Sequence, residues 1–199
     1  MKSFKNLGKE VETIWNDLRP MTKEMLVKAS KTNLKKQTIS YDAHADWELS
    51  SLLTALDEEV RGKTADIGNA SELRDLAETC AKVLEAQTES AEVFIQLAER
   101  ALARNDFAKI DELADVLFER FSAGETSEVI RQTKLPQIRA IAFETLAVLP
   151  VTLITPLLDD PLYFEIACNV LEQQAIEFES DEARQVLEQL EHLERQHWQ

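Results

Sequence analysis

The chain has 199 residues with 22 Lys/Arg against 37 Asp/Glu, a formal net charge of −15, and only four Gly, five Pro and two Tyr. This length allows one domain with a sizeable core, or one domain plus an appendage, and the composition favours helix over turn-dense sheet. Dense negative charge disfavours nucleic acid as a partner, because phosphate repels it. The charge is also unevenly laid out: residues 1–40 hold nine Lys/Arg against four Asp/Glu, and residues 41–199 hold thirteen against thirty-three. The expectation is a basic helical arm and linker over 1–40, followed by an acidic α-helical domain over 41–199.

In the arm, Phe4, Leu7, Val11, Ile14 and Leu18 recur every three or four residues, which places them on one helical stripe suited to packing. Arg19-Pro20 breaks that pattern. Pro20 suits the first turn of a second helix carrying Met21, Met25, Leu26 and Ala29, and the polar stretch Lys31–Ser40 reads as a linker. The arm could cover the first helices of the body, join a second copy of the chain into a homo-oligomer, or bind a partner. Glu10, Glu12 and Asp17 dilute its positive face, so docking on a membrane or on nucleic acid is the weakest of its roles.

The body reads as successive helices with short breaks, so neighbours are expected to pack antiparallel. Leu49, Leu52, Leu53, Leu56 and Val60 form one stripe; Asn69 or Ser71 suits the cap of the next helix, which runs to about Gln87. Thr88 or Ser90 opens another, and Asn105-Asp106 interrupts before Phe107, Ile110, Leu113, Ala114, Leu117, Phe118 and Phe121 resume the period. Gly124 suits a helix C-cap, with a short helix starting at Thr126. Pro136 suits the first turn of a helix ending at Leu149-Pro150. Asp160-Pro161 and Ser180-Asp181-Glu182 suit two further starts.

Two stretches resemble known helical repeats. LPQIRAIAFETLAVLPVTLITPLLDDPLYFEIACNVLEQQ, Leu135–Gln174, resembles a HEAT-type repeat junction, with Asp159, Asp160 and Pro161 matching its turn and Glu165 standing where a base is usual. ALARNDFAKIDELADVLFER, Ala101–Arg120, is similar to the turn and second helix of a tetratricopeptide unit. The resemblance implies an all-α fold of antiparallel hairpins stacked as a short α-solenoid, with an irregular helical bundle as the alternative. It also implies a surface that binds other proteins.

Motifs for chemistry are incomplete. Gly62-Lys63-Thr64 has the end of a phosphate loop, but Asp57 stands where that loop needs its first glycine and would repel a phosphate. Glu194-Arg195-Gln196-His197 is a single Glu-x-x-His, whereas a di-metal bundle needs two. Asp42-Ala43-His44-Ala45-Asp46 could be drawn as a ligand cluster, yet Asp42 or Asp46 as a helix cap suits the spacing better. Cys80 and Cys168 sit on apolar faces and read as free core thiols.

These features point to a non-catalytic, cytoplasmic protein–protein interaction module, an adaptor, scaffold or inhibitor, whose acidic surface binds a basic protein. The alternative is an enzyme or ligand-binding domain whose site is assembled from distant helices. Trp47, Arg74, Arg100, Arg104 and Arg139 are the residues that would have to converge on one cleft for that reading. No apolar run approaches the ~20 residues of a membrane span. No cofactor or metal is expected, and metal analysis with an ultraviolet scan of the purified chain checks this: stoichiometric iron, zinc or nucleotide would contradict it.

Overall fold

A computed structural model describes residues 8–30, 41–62 and 67–197, with the side chains of 67–69 and 193–197 outside the description. The described residues are all-α: eleven α-helices, one 3-10 turn and no strand. The chain divides into two compact units, Met1–Val93 and Phe94–Gln199.

The first unit holds α1 (Lys9–Asp17), α2 (Pro20–Ala29), α3 (Ala43–Gly62) and α4 (Ile67–Gln87). Helices α3 and α4 pack together; Leu49, Leu52, Leu53 and Leu56 of α3 and Leu73, Ala77, Cys80 and Leu84 of α4 are all buried. Each buried Leu contributes roughly 1.5–3 kcal/mol of transfer free energy. Asp42 starts α3, its Oδ1 accepting from the Ala45 amide at 2.9 Å. Asn69 and Ser71 lie inside α4 instead of capping it, because the helix begins at Ile67.

The arm helices belong to this unit. Helix α1 packs on α3, and α2 packs on α4 and α3. Val11 and Leu18 are buried, Ile14 is half-buried, and Phe4 and Leu7 lie outside the described residues. What fixes α2 is electrostatic. It has no side-chain cap of its own and no acid in its first turn, so its positive end needs an anion from elsewhere. Glu48 of α3 supplies one. It is only 3% exposed, and its carboxylate accepts from the Arg19 amide at 2.7 Å, from Arg19 Nε at 3.0 Å and from Thr22 Oγ1. The two Nη atoms of Arg19 meanwhile grip Asp42 at 2.9 and 2.7 Å.

The second unit contains most of α5 (Ala91–Ala103), then α6 (Phe107–Arg120), α7 (Ala123–Gln132), α8 (Pro136–Ala147) and α9 (Val151–Ile154). A 3-10 turn (Thr155–Asp159), α10 (Phe164–Glu177) and α11 (Asp181–His197) complete it. Helix α7 pairs with α8 and α10 with α11, while α8 also packs on α6 and α10. Asp106, Ser122 and Ser180 start α6, α7 and α11 by accepting the amides of Lys109, Glu125 and Ala183 at 3.1, 3.1 and 3.2 Å. Gly124 is therefore no C-cap: it lies inside α7, which starts before Thr126, because Phe121 leaves α6 in extended conformation and Ser122 caps the next helix at once. Pro161 likewise precedes α10 in a turn and does not open the helix. Cys80 is buried and Cys168 half-buried, and neither is in a disulfide.

The shared carboxylate of Glu48 gives a stability prediction. Burial alone would push its carboxyl up, but the bonds from Thr22 and from Arg19 outweigh this and hold it below the ordinary value of 4.5. Its contribution is thus complete above about pH 4.5 and is lost as pH falls through the lowered folded value. Glu48→Ala, which strands the donors of Arg19 and Thr22, should cost about 2–3 kcal/mol in urea unfolding at neutral pH. Glu48→Gln should flatten the acid dependence of unfolding. Equal acid profiles for Glu48→Gln and wild type would contradict this role.

Candidate functional site

Of the five residues proposed to share a cleft, Trp47 on α3 and Arg74 on α4 are exposed in the first unit. Arg100 is half-buried on α5, and Arg104 and Arg139 are exposed, all in the second unit. Arg139 lines both depressions described below and the other four line neither. Trp47 has its ring against His44, with centroids 5.6 Å apart. Asp42 binds Arg19, His44 lies against the Trp47 ring with its Nε2 3.9 Å from Glu48 Oε1, and Asp46 accepts from the hydroxyl of Tyr41.

A depression of about 600 Å³ lies where the end of α7, one face of α8, the turn after the 3-10 segment and the start of α10 meet. Ile130, Leu158, Pro161, Leu162, Phe164 and Ile166 make it largely apolar; Arg131 and Arg139 face it alongside Asp159 and Glu165. Arg139 also lines a second depression, of about 270 Å³, with Lys134, Pro136, Ala140 and Phe143. The turn is held by its own chemistry. Asp160 Oδ1 accepts the Leu162 amide at 2.9 Å, and the Asp160 carbonyl accepts those of Tyr163 and Phe164.

Glu128 ties this turn to α7. Its carboxylate accepts Arg131 Nε at 2.6 Å, a second guanidinium nitrogen of Arg131, Gln132 Nε2 at 2.6 Å and Tyr163 Oη at 3.0 Å. The Arg131 guanidinium, helped by Gln132 and Tyr163, overcomes burial and holds the Glu128 carboxyl down at about 2. Burial and then the same carboxylate push the Tyr163 hydroxyl up. Buried Gln174 of α10 donates from Nε2 to the carbonyls of Ala147 and Leu149 at 3.0 and 2.7 Å, closing the end of α8.

A second surface is the outer face of α6. Phe107 and Phe118 are 65% and 52% exposed. Eleven residues apart, they fall within about 20° of each other around the helix and about 16 Å apart along it. Asp111 and Asp115 lie between them along the axis and about 20–80° to one side around it, while Ile110, Leu113 and Leu117 are buried about 90–110° to the other side; Glu112 and Glu119 are exposed farther round the helix.

Sequence reading put Phe107 and Phe118 in the packed stripe and did not single out Glu128, Arg131 or Tyr163. The absence of any acid between Glu128 and Glu144 was the available signal for the basic side of the depression. No known protein family matches the chain, and no curated protein or solved structure matches it either.

The Glu128 hub is testable by side-chain NMR titration. Tyr163→Phe should raise the Glu128 midpoint above about 2 and cost about 1 kcal/mol, and Arg131→Ala should raise it further, since Arg131 is the larger cause. An unmoved midpoint in both variants would remove Glu128 as the tie.

Proposed function

We propose that this chain is a non-catalytic protein–protein interaction module of stacked helical hairpins, an adaptor or scaffold in the cytoplasm, that binds a basic protein partner through an acidic helical face. The observation that carries this reading is the outer face of α6. Two large aromatic side chains stand exposed on one line of the helix, with carboxylates between and beside them. Helix α6 packs through Ile110, Leu113 and Leu117, about 90–110° round the helix, and leaves both aromatics exposed.

Exposed aromatics ringed by polar groups are the usual anchors of protein interfaces, where a few such residues carry most of the binding free energy. The carboxylates add selection by charge. They steer a basic segment toward the face and repel an acidic one, mainly through the association rate. A partner helix with two apolar residues spaced by three turns and Lys or Arg between them matches this pattern.

The test is affinity capture with the tagged full chain, comparing wild type with Phe107→Ala/Phe118→Ala and Asp111→Asn/Asp115→Asn. A basic protein recovered by wild type should fall at least ~10-fold in the aromatic variant. In the carboxylate variant its binding should lose most of its salt dependence. Both variants should unfold within ~0.5 kcal/mol of wild type, because the altered groups are exposed. Recovery of the same partner at the same level by the aromatic variant would refute α6 as the binding face.

A further inference from the structure

We infer that the depression at the α7–α8–α10 junction, together with the smaller one it meets at Arg139, is a docking site for an acidic protein segment carrying a large apolar side chain. This surface is separate in residues and opposite in charge selection from the α6 face, and the inference does not rest on that reading.

Charge complementarity is the first argument. The unit Phe94–Gln199 has nine Lys/Arg against twenty Asp/Glu, yet between Glu128 and Glu144 it has no acid and three bases, Arg131, Lys134 and Arg139. All three are exposed, and all three line the two depressions. Arg131 is paired with Glu128, but the Arg139 guanidinium donates to the neutral carbonyl of Thr133, at 3.1 Å. Among the described residues neither Lys134 nor Arg139 enters an ion pair. Two cations outside these ion pairs therefore line the depressions, Arg139 both of them and Lys134 the smaller, which has no carboxylate in its lining.

Shape and fixation are the second. The concavity offers Ile130, Phe164 and Ile166 to an inserted side chain, and Leu162 stands exposed at its edge as an apolar anchor. Its walls are set before any ligand arrives: Asp160 fixes the Leu162 amide, and the Tyr163–Glu128 bond ties that turn to α7 across 35 residues of sequence. Preorganised walls reduce the ordering cost of binding. Asp159 and Glu165 lie in the larger depression as well. They keep the ligand's carboxylates off that part of the wall and direct them to Arg139 and Lys134, which gives the segment a direction.

The test is selection of random twelve-residue displayed peptides on the immobilised full chain, followed by fluorescence anisotropy of the enriched sequences. Enriched peptides should combine Asp or Glu with a Leu, Phe or Trp. They should bind Lys134→Glu/Arg139→Glu at least ~10-fold more weakly, since like charges at an interface are strongly unfavourable. Leu162→Asp should weaken them too, while Phe107→Ala/Phe118→Ala should leave them unchanged. Far-UV circular dichroism and thermal unfolding of each variant verify the fold, and Leu162→Asp provides an independent reading should the double variant unfold. Enrichment of basic peptides, no enrichment at all, or acidic peptides indifferent to Lys134→Glu/Arg139→Glu and Leu162→Asp would overturn the proposal. Loss of binding in the α6 variant alone would overturn it as well.

Discussion

A helix of ten to twenty residues is marginal in water by itself, so each helix here has to bury its apolar stripe on a neighbour. That constraint organises both units. In the first, the Leu-rich face of α3 is covered by α4 on one side and by the arm helices on another; in the second, α8 serves several neighbours at once and buries Ile138, Ala142 and Leu146. Burial of this kind fixes which faces meet. It does not fix the angle or the ends, because hydrophobic contact is non-directional.

Direction comes from a small number of polar groups held inside the seams. Glu48 places an anion at the start of α2, Gln174 closes the end of α8, and Glu128 ties the turn before α10 to α7. Each bridges more than twenty residues of sequence, and each accepts or donates where a helix end or a turn would otherwise leave backbone or guanidinium groups unmatched. Residual imperfection is visible as well: the Ser127 hydroxyl and the Gln174 carbonyl oxygen are buried without a hydrogen-bond partner among the described residues. Such groups favour one arrangement over another more than they add to its stability, since a misplaced helix would strand a buried charge or amide.

Much of the helical layout was legible in the sequence because it depends on local chemistry. Leu49, Leu52, Leu53 and Leu56 are all fully buried as their spacing implies, and the starts at Pro20, Asp106, Pro136 and Ser180 follow from residues that cap a helix or tolerate its first turn. Local chemistry misled at Gly124, where an extended Phe121 made a left-handed glycine unnecessary. The α6 face was misread for a different reason. Phe107 and Phe118 lie about 90–110° around the helix from the centre of the Ile110, Leu113 and Leu117 stripe, so one apolar period held both the buried and the exposed residues. Periodicity says which residues share a side, and only the neighbours decide how wide a side is covered. The Glu128–Tyr163 tie could not be read at all, because nothing local to either residue marks a partner 35 positions away.

The arrangement of charge in the second unit carries the last step. Where charges merely keep a helical protein soluble, opposite signs are interspersed and pair along a helix, as Lys109 does with Glu112 and Arg184 with Asp181. The acid-free interval from Val129 to Phe143 departs from that pattern, and α6 departs from it in the other sense at Asp111 and Asp115, which stand exposed between Phe107 and Phe118 along the helix. Neither departure serves the core, since the residues concerned are exposed while Ile110, Leu113, Val129 and Ile138 do the packing on the same helices or beside them. Segregated charge beside exposed apolar groups raises self-repulsion and leaves apolar surface in water, both small costs to a marginally stable fold. Contact of the two proposed surfaces with groups outside the chain would offset both costs, and two surfaces of opposite selection would let one unit hold two different partners at once.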